Sequence, residues 1–216
     1  MSGKKFVIVG AGGFGREVYV WLKDWIDHSD KPETYKIVGF LDDSSTALGR
    51  FSDVPSIISS IDDYVHQDGV FLVCAIADPK IKKAVSDRLI AKGAEFFSLV
   101  HPSVIVGTRV VVGVGVVVCP NTILSTDLTV GDFVTINSAT TIGHDTSIGR
   151  YSTISGHCDV TGGVQLGEGV FMGSHAVVVP KVTVGAFAII GASSVVIRKV
   201  APGVTVFGVP AKKIAG

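Results

Sequence analysis

Residues 101–196 divide into sixteen consecutive hexads without insertion or deletion: HPSVIV, GTRVVV, GVGVVV, CPNTIL, STDLTV, GDFVTI, NSATTI, GHDTSI, GRYSTI, SGHCDV, TGGVQL, GEGVFM, GSHAVV, VPKVTV, GAFAII and GASSVV. The sixth position is Val, Ile, Leu or Met in every hexad, and the first is Gly in nine of the sixteen. A period of six fits neither an α-helix nor a hairpin meander and is typical of a solenoid.

In such a solenoid each hexad supplies one short strand and one corner. We expect the sixth residue to point inward, the fourth to fill the space behind a corner, and the first-position Gly to relieve a tight bend. Three hexads make a coil of about 18 residues, so the stretch predicts a prism of five coils, ~25 Å tall at the strand spacing. An antiparallel sandwich would need alternation broken by turns every 8–12 residues, which the sequence lacks.

The N-terminal part has a different pattern. Lys5 to Val9 predict a strand, Gly10-Ala11-Gly12-Gly13-Phe14-Gly15 a Gly-rich loop, and Arg16 to Trp25 a helix. A G-x-G-x-x-G loop between strand and helix is the context in which backbone N–H groups bind a phosphate. Asp42 and Asp43 follow a second strand, Tyr35 to Leu41. They either contact a ribose or only begin the turn before Ser44, and the sequence leaves both open.

The remaining N-terminal elements alternate between helix and strand. We predict a short helix over Ser56–Val65, a strand over Gly69–Ala77, a helix from Asp78-Pro79 to Lys92 and a strand over Glu95–Val100. The pattern predicts a small Rossmann-like α/β domain with a mostly parallel sheet. We place the boundary so that residues 1–100 form this domain and residues 101–216 form the prism and its tail.

Composition narrows the function classes. The 19 basic and 19 acidic side chains cancel without a basic run, which argues against binding to nucleic acid or anionic lipid. No apolar segment is long enough to span a bilayer, so we expect no membrane insertion. Cys74, Cys119 and Cys158 are odd in number and widely spaced, so we expect reduced thiols in a cytoplasmic protein. The N-terminal stretch MSGKKFVIVGAGGFG lacks the features of a signal peptide.

The Gly-rich loop alone also fits a dinucleotide oxidoreductase. Two features argue against that class: the first 100 residues are short for a full dinucleotide fold, and no hydride-transfer site follows them. A nucleotide-sugar pyrophosphate would use the same loop by the same physics.

Three histidines of the repeat lie at outward positions. His157 and His175 are 18 residues apart, so we expect them to stack on one side of the prism, whereas His144 falls on another side. His144 is followed by Asp145, which offers a base and an acid for acyl transfer.

The hexads resemble those of the hexapeptide-repeat acyltransferases, whose fold is a left-handed parallel β-helix. The segment NSATTIGHD, residues 137–145, closely resembles the acetyltransferases that modify the 4-amino group of nucleotide-linked 4-amino-4,6-dideoxy sugars, relatives of the sialic acid O-acetyltransferases. These enzymes also join an N-terminal Gly-rich β-α-β domain to a hexapeptide prism, so the resemblance extends over the whole chain.

The resemblance implies roles for particular residues. His144 would be the general base for direct attack on the thioester, with Asp145 beside it, Asn137 near the acceptor amine and Gly162 as an oxyanion donor. The implied nucleotide-sugar residues are Gly10, Gly12, Gly13, Phe14, Gly15, Asp42 and Asp43. The implied acetyl-CoA residues are Thr153, His157, Gly173, His175, Ala192, Lys199, Pro210 and Lys212. Two departures stand out: Ala77 replaces a frequent Gly, and Thr153 replaces a second His found near the thioester in some relatives.

The family further implies acetyl-CoA as co-substrate, a role in polysaccharide or glycan biosynthesis, and a homotrimer with acetyl-CoA between neighbouring prisms. Sugar O-acetylation by the same architecture is the first alternative. A zinc hydratase needs converging histidines, but His144, His157 and His175 lack a close pair, so we expect no metal. A non-catalytic scaffold would bind no acyl donor.

Overall fold

The computed structural model describes residues 4–216; Met1, Ser2 and Gly3, which open the stretch considered for a signal peptide, lie outside the described residues. The N-terminal elements are β1 (Lys4–Val9), α1 (Gly13–Asp27), a 3-10 turn (Pro32–Thr34), β2 (Tyr35–Leu41), β3 (Ile57–Ser59), β4 (Val70–Cys74), α2 (Pro79–Ala91) and β5 (Glu95–Phe96). The strands pair in parallel in the order β3-β2-β1-β4-β5, which confirms the predicted small parallel sheet.

Both helices follow from local signals. In α1, the residues Val18, Leu22 and Ile26 recur every four positions and are buried against the sheet, as an amphipathic helix requires. At the start of α2, Asp78 Oδ1 accepts the N–H groups of Lys80 and Ile81, both at 2.9 Å, and Pro79 occupies the first helical turn.

Two predicted elements differ from the structure. The helix expected over Ser56–Val65 is wrong: Ile57–Ser59 form β3, because the β-branched Ile57 pairs with Phe40 at the sheet edge. The strand expected over Glu95–Val100 is divided between two sheets. Glu95–Phe96 end the N-terminal sheet, and Leu99–Val100 begin the next one.

The C-terminal part is a parallel β-helix with three faces, and this confirms the predicted solenoid. Face 1 consists of β6 (Leu99–Val100), β9 (Val117–Val118), β12 (Thr135–Ile136), β15 (Thr153–Ile154), β18 (Phe171–Met172), β21 (Ile189–Ile190) and β23 (Thr205–Phe207), with β24 (Lys212–Ala215) antiparallel at its end. Face 2 consists of β7 (Ile105–Val106), β10 (Ile123–Leu124), β13 (Thr141–Ile142), β16 (Asp159–Val160), β19 (Val177–Val178) and β22 (Val195–Val196). Face 3 consists of β8 (Val111–Val112), β11 (Thr129–Val130), β14 (Ser147–Ile148), β17 (Gln165–Leu166) and β20 (Thr183–Val184).

The β-helix is taller than the predicted five coils. Face 1 carries seven parallel strands, because Leu99–Val100 and Thr205–Phe207 extend the column beyond the hexads. Within the hexads each strand pairs with the strand 18 residues later, as Thr135 does with Thr153. At the end, Ile189 pairs with Thr205, so the last coil is two residues shorter.

The role expected for the first-position Gly is wrong. Positive φ occurs instead at the third position of the hexads, for example at Asp145 (+56°) and His157 (+58°). A Cβ on Gly143 would lie 2.6 Å from the backbone nitrogen of Gly162 in the next coil. The first-position Gly is therefore required by the close approach of successive coils and not by a bend.

The interior of the β-helix is a column of fourth- and sixth-position side chains, such as Val134, Ile136 and Ile154, which are fully buried. Polar fourth-position residues satisfy their hydroxyls locally: Thr140 Oγ1 donates to the carbonyl of Ser155, and Ser152 Oγ to that of Gly167. The polar atoms in this column therefore do not remain unpaired.

The N-terminal unit packs on face 1. Leu99, Val117 and Cys119 are buried together with Phe6 and Val73 of the parallel sheet. At the neighbouring corner, Phe133 and Tyr151 stack and enclose Cys74. None of the helices within residues 4–216 combines the length and the apolar character needed to cross a membrane.

Candidate active site

His144 and Asp145 lie on the corner between faces 2 and 3, directly after β13 and before β14. His144 Nδ1 is 2.7 Å from Asp145 Oδ2, and both side chains are about two-thirds exposed, at 64% and 68%. An ionised carboxylate only accepts hydrogen bonds, so the shared proton belongs to His144 Nδ1, and the neutral form of this ring is the Nδ1–H tautomer. The lone pair of that imidazole is therefore on Nε2.

Gly162 lies one coil beyond His144 on the same corner. A Cβ at Gly162 would lie 2.6 Å from His144 Nε2, so the imidazole rests directly over its backbone. Any larger residue would displace the ring. The structure thus brings together three of the predicted catalytic residues: His144, Asp145 and Gly162.

A second charged group lies one coil before the dyad. Arg109 forms a bidentate ion pair with Asp127. Asp127 lies 18 residues before Asp145 and therefore stacks directly on it in the preceding coil. The hydrogen bond from Arg109 holds the pKa of the Asp127 carboxyl below its usual range, and the hydrogen bond from Thr126 and the charge of Arg109 act in the same direction. Our sequence analysis missed this pair, although Arg109, Asp127 and Asp145 recur at intervals of 18 residues.

The corner between faces 1 and 2 carries several of the predicted acetyl-CoA residues. His157 and His175 stack on successive coils with ring centroids 4.9 Å apart, as their spacing predicts. A Cβ on Gly173 would lie 2.5 Å from the backbone nitrogen of Ala192, so these two residues are in contact. Asn137 is on this corner, where its Oδ1 accepts from Cys119 Sγ at 3.4 Å. Within one chain, face 2 separates this corner from His144.

Thr153 has a different environment from the one expected of an acetyl-CoA ligand. It is 1% exposed beneath the N-terminal unit, accepts a hydrogen bond from Lys82 Nζ at 2.8 Å and donates to the carbonyl of Ala77 at 2.6 Å. Thr153, where the resemblance implied a contact with acetyl-CoA, is thus covered by α2.

Lys82 is a buried lysine that sequence reasoning missed, although it lies three and seven residues before the buried Val85 and Leu89 and so on the inner face of α2. Burial lowers its pKa to about 8, and neighbouring Cys74 and Asp78 partly offset that effect. Its Nζ donates to Thr135 Oγ1, Thr153 Oγ1 and the carbonyl of Ser152 at 2.8, 2.8 and 3.3 Å.

The Gly-rich loop joins β1 to α1. Gly10 has φ +100° and lies against the carbonyl of Ala75, and Gly15 packs on the carbonyl of Gly10. These two glycines are required by the fold. Gly12 has nothing within 4 Å of an added Cβ, and Gly13 only an Arg16 side-chain atom at 3.8 Å, so both leave open space at an N-terminus without a side-chain cap.

The acidic pair beside this loop has two different roles. Asp42 accepts the N–H groups of Ala11 and Ser44 at 2.7 and 2.8 Å, so it both supports the loop and begins a turn. Asp43 accepts the N–H of Ile61 at 2.9 Å. Both line a cleft of about 200 Å³ with Gly10 at the carboxyl ends of β1 and β2. Phe14 points away from it and packs against Trp21, with ring centroids 6.1 Å apart.

The predicted residues of the C-terminal tail are exposed. Lys199, Pro210 and Lys212 lie at the surface near the end of the β-helix, and Lys212 begins β24. Throughout residues 4–216, no three side chains of His, Cys, Asp or Glu converge as a metal site would require.

Comparison with known proteins matches residues 5–89 to the PglD N-terminal domain family. The acetyltransferase domain of PglB from Neisseria gonorrhoeae is 26% identical with a TM-score of 0.86, covering 98% of this chain and 100% of that one; it was also solved with acetyl coenzyme A. WeeI from Acinetobacter baumannii has the same coverage and TM-score at 25% identity.

PerB from Caulobacter crescentus, solved with CoA and GDP-perosamine, is 28% identical with a TM-score of 0.83, covering 98% of this chain and 97% of that one. No curated protein sequence matches the chain. These structural matches confirm the resemblance to sugar acetyltransferases inferred from the sequence.

Proposed function

We propose that this chain transfers the acetyl group of acetyl-CoA to the 4-amino group of a nucleotide-linked 4-amino-4,6-dideoxy sugar. The observation that carries the proposal is the His144–Asp145 pair, whose free Nε2 faces the backbone of Gly162. Acyl transfer needs a general base that is held in place, here by a carboxylate, and a hydrogen-bond donor for the oxyanion, here a backbone N–H. The PglB domain, solved with acetyl coenzyme A, supports the acetyl donor, and PerB, solved with CoA and GDP-perosamine, supports the acceptor class.

The chemistry follows from the tautomer of His144. The neutral amine attacks the thioester carbonyl carbon, and His144 Nε2 accepts the proton that the amine loses as the C–N bond forms. Asp145 stabilises the imidazolium that results, and the N–H of Gly162 is a candidate donor to the oxyanion. When the C–S bond breaks, the imidazolium returns the proton to the CoA thiolate and the amide remains.

The acceptor's diphosphate would be bound at the Gly-rich loop. Packing explains why residues 10 and 15 are glycine, because an added Cβ at Gly10 or Gly15 would collide with backbone atoms. It does not explain Gly12 and Gly13, where a Cβ would have room. The space at the N-terminus of α1 suits a phosphate, because the first N–H groups of a helix lack internal partners. The adjoining cleft with Asp42 and Asp43 would receive the nucleoside.

Acetyl-CoA would lie along the corner that carries His157, Gly173, His175 and Ala192, towards the exposed Lys199, Pro210 and Lys212. Thr153 is omitted from this set because it is buried under α2. Asn137 lies on the same corner and would meet the acceptor only where a neighbouring subunit's His144 approaches.

These assignments require more than one copy of the chain. The N-terminal unit covers face 1, while His144 lies on the opposite corner of the prism, between faces 2 and 3. One chain therefore cannot present its Gly-rich loop and its own His144 to the same sugar. A homotrimer, in which the corner of one prism faces the N-terminal unit of the next, completes the site.

The test is acetyl transfer with matched acceptors. The protein is incubated with acetyl-CoA and a nucleotide-linked 4-amino sugar, or with the same amino sugar lacking the nucleotide, and CoA release is followed. We expect turnover to depend on the nucleotide. Equal turnover of the free sugar would reject the role assigned to the Gly-rich loop.

A further inference from the structure

Lys82 is a fully buried ammonium at the junction of the two units. It belongs to α2, yet all three of its hydrogen-bond acceptors, Thr135 Oγ1, Thr153 Oγ1 and the carbonyl of Ser152, belong to the β-helix. A lysine ammonium has three donors, so the β-helix satisfies every one of them. Lys82 is 0% exposed, and Thr135 and Thr153 are 2% and 1% exposed.

Apolar packing alone does not require this arrangement. Burying a charge is costly, and replacing it by an apolar side chain is often neutral or favourable for stability. A buried ammonium with three fixed acceptors defines the position of the helix that carries it. Any displacement of that helix would leave a buried N–H donor without a partner. The contact is therefore better suited to fixing the position of α2 than to increasing stability.

The position of α2 matters because the helix also forms a wall of the candidate nucleotide cleft. Ile81 and Val85 of α2 line that cleft with Gly10, Asp42 and Asp43. Ile81 is the residue directly before Lys82. A shift of α2 on face 1 would thus move the cleft relative to the β-helix. A second tie on the same helix, from Tyr151 to Asp87 at 2.8 Å, is partly exposed.

We infer that Lys82 is a positioning residue: its contacts with Thr135, Ser152 and Thr153 lock the N-terminal unit on face 1 and so set where the bound acceptor meets the acetyl group. The locking does not depend on the enzyme's activity, whereas the effect on transfer rests on the proposed function. A misplacement of about 1 Å can lower a rate ~10²-fold without weakening binding.

Three cysteines provide a readout of the lock that needs no substrate. Cys74, the last residue of β4, is buried against the β-helix residues Phe133 and Tyr151, and Cys119 is buried under the parallel sheet. Cys158 lies in the interior of the β-helix. Opening of the junction would expose Cys74 and Cys119 to a thiol reagent while Cys158 stays protected, and each site is resolved by mass spectrometry.

The variants are Thr135→Val, which removes one acceptor at nearly constant volume, and Thr135→Ser, which keeps the hydroxyl. We expect Thr135→Val to be labelled about tenfold faster than Thr135→Ser at Cys74 and Cys119, given the strength of hydrogen bonds to a charged donor. Labelling of Cys158 should stay unchanged. In the same variant, kcat should fall about tenfold or more at unchanged KM for the nucleotide sugar, and Thr135→Ser should restore it.

Lys82→Met should likewise lower kcat at unchanged KM. If Lys82→Met does not fold, the comparison of Thr135→Val with Thr135→Ser still tests the proposal. Equal labelling of Thr135→Val and Thr135→Ser, or equal acceleration at all three cysteines, would overturn the lock. Faster labelling of the two junction cysteines with unchanged kcat would overturn the effect on transfer. If even the wild type acetylates no nucleotide-linked amino sugar, the proposed function fails while the labelling result still decides the lock.

Discussion

His144 is exposed and lies outside the buried column, so its role can be tested with little disturbance of the fold. We predict that His144→Ala changes the free energy of unfolding by much less than the ~2–5 kcal/mol of a core truncation. As loss of a general base, it should lower kcat ~10²–10⁴-fold with little change in KM. Steady-state kinetics at saturating acetyl-CoA, from pH 6 to 9, together with denaturant unfolding, measure both quantities.

His157→Ala is the matched control for that prediction, because His157 is also exposed and lies on another corner of the same β-helix. It should mainly raise KM for acetyl-CoA. Loss of a general base should lower kcat at least ~10²-fold. If His144→Ala instead retains more than about a tenth of the wild-type kcat, the role assigned to His144 is wrong.

Gly13 allows binding and stability to be separated. Its added Cβ would meet only an Arg16 side-chain atom at 3.8 Å, and it is the first residue of α1. Gly13→Ala should therefore stabilise the protein by about 0.4–1 kcal/mol, because Ala restricts the unfolded chain. If a phosphate approaches this backbone, the same change should raise KM for the nucleotide sugar several-fold.

Thermal unfolding and KM measured on the same Gly13→Ala preparation test that separation. Gly49→Ala, in the turn that follows β2, serves as the control, because its added Cβ would have only one carbonyl nearby, at 3.3 Å. An unchanged KM for the nucleotide sugar in Gly13→Ala would argue against phosphate binding at this turn.

At the scale of elements, the sequence determined the β-helix well because its signal is local and repeated. The spacing of 18 residues placed His157 on His175 and separated both from His144. It did not reveal that positive φ falls on the third position, since residues as different as Arg109, Phe133 and His175 adopt it there. Those side chains tolerate the strain because the ladder of the next coil fixes the backbone.

What the sequence could not supply concerns docking between elements. Lys82 shares the buried face of α2 with Val85 and Leu89 at helical spacing, but nothing in either segment indicates that this face meets Thr153 on face 1. The strand over Ile57–Ser59 is likewise set by its parallel partner β2 and not by its own pattern.

Lys82 gives stability a dependence on pH that can be isolated by substitution. Its pKa is about 8 in the folded state against 10.5 for the free side chain, so the unfolded chain binds more protons between these values. Stability of the wild type relative to Lys82→Met should therefore rise as pH increases from about 8 towards 10.5, by up to about 3 kcal/mol.

Denaturant unfolding of wild type and Lys82→Met at a series of pH values from 7 to 10 measures this difference, and the titrations that both proteins share largely cancel. Cys74, Asp78 and Cys119 are the titratable groups whose charges act on Lys82, and all are retained in the variant. Parallel stability curves for the two proteins would contradict a depressed Lys82 pKa.

At the scale of the whole molecule, the opposite placement of the Gly-rich loop and His144 makes a specific prediction about mixed oligomers. His144→Ala lacks the base but keeps the loop, whereas Gly13→Phe fills the space at the loop but keeps the base. If a site takes its loop and its base from neighbouring copies, one of the three sites in every trimer that contains both variants is complete, so such trimers should regain about a third of wild-type activity.

The mixed sample is prepared by co-expressing the two variants with different tags and purifying on both. Each variant expressed alone is the control and should be nearly inactive. Mixed oligomers that stay as inactive as their parents, or an active monomer in solution, would contradict a site shared between copies.

The most direct test of the central claim is to identify the bond that the protein forms. Wild type and His144→Ala are each incubated with radiolabelled acetyl-CoA and a nucleotide-linked 4-amino-4,6-dideoxy sugar, and the product is treated with hydroxylamine. We predict a labelled amide on the 4-amino group that resists hydroxylamine and forms at least ~10²-fold more slowly with His144→Ala. A hydroxylamine-sensitive ester on a sugar hydroxyl, or equal rates for the two proteins, would contradict N-acetylation with His144 as the base.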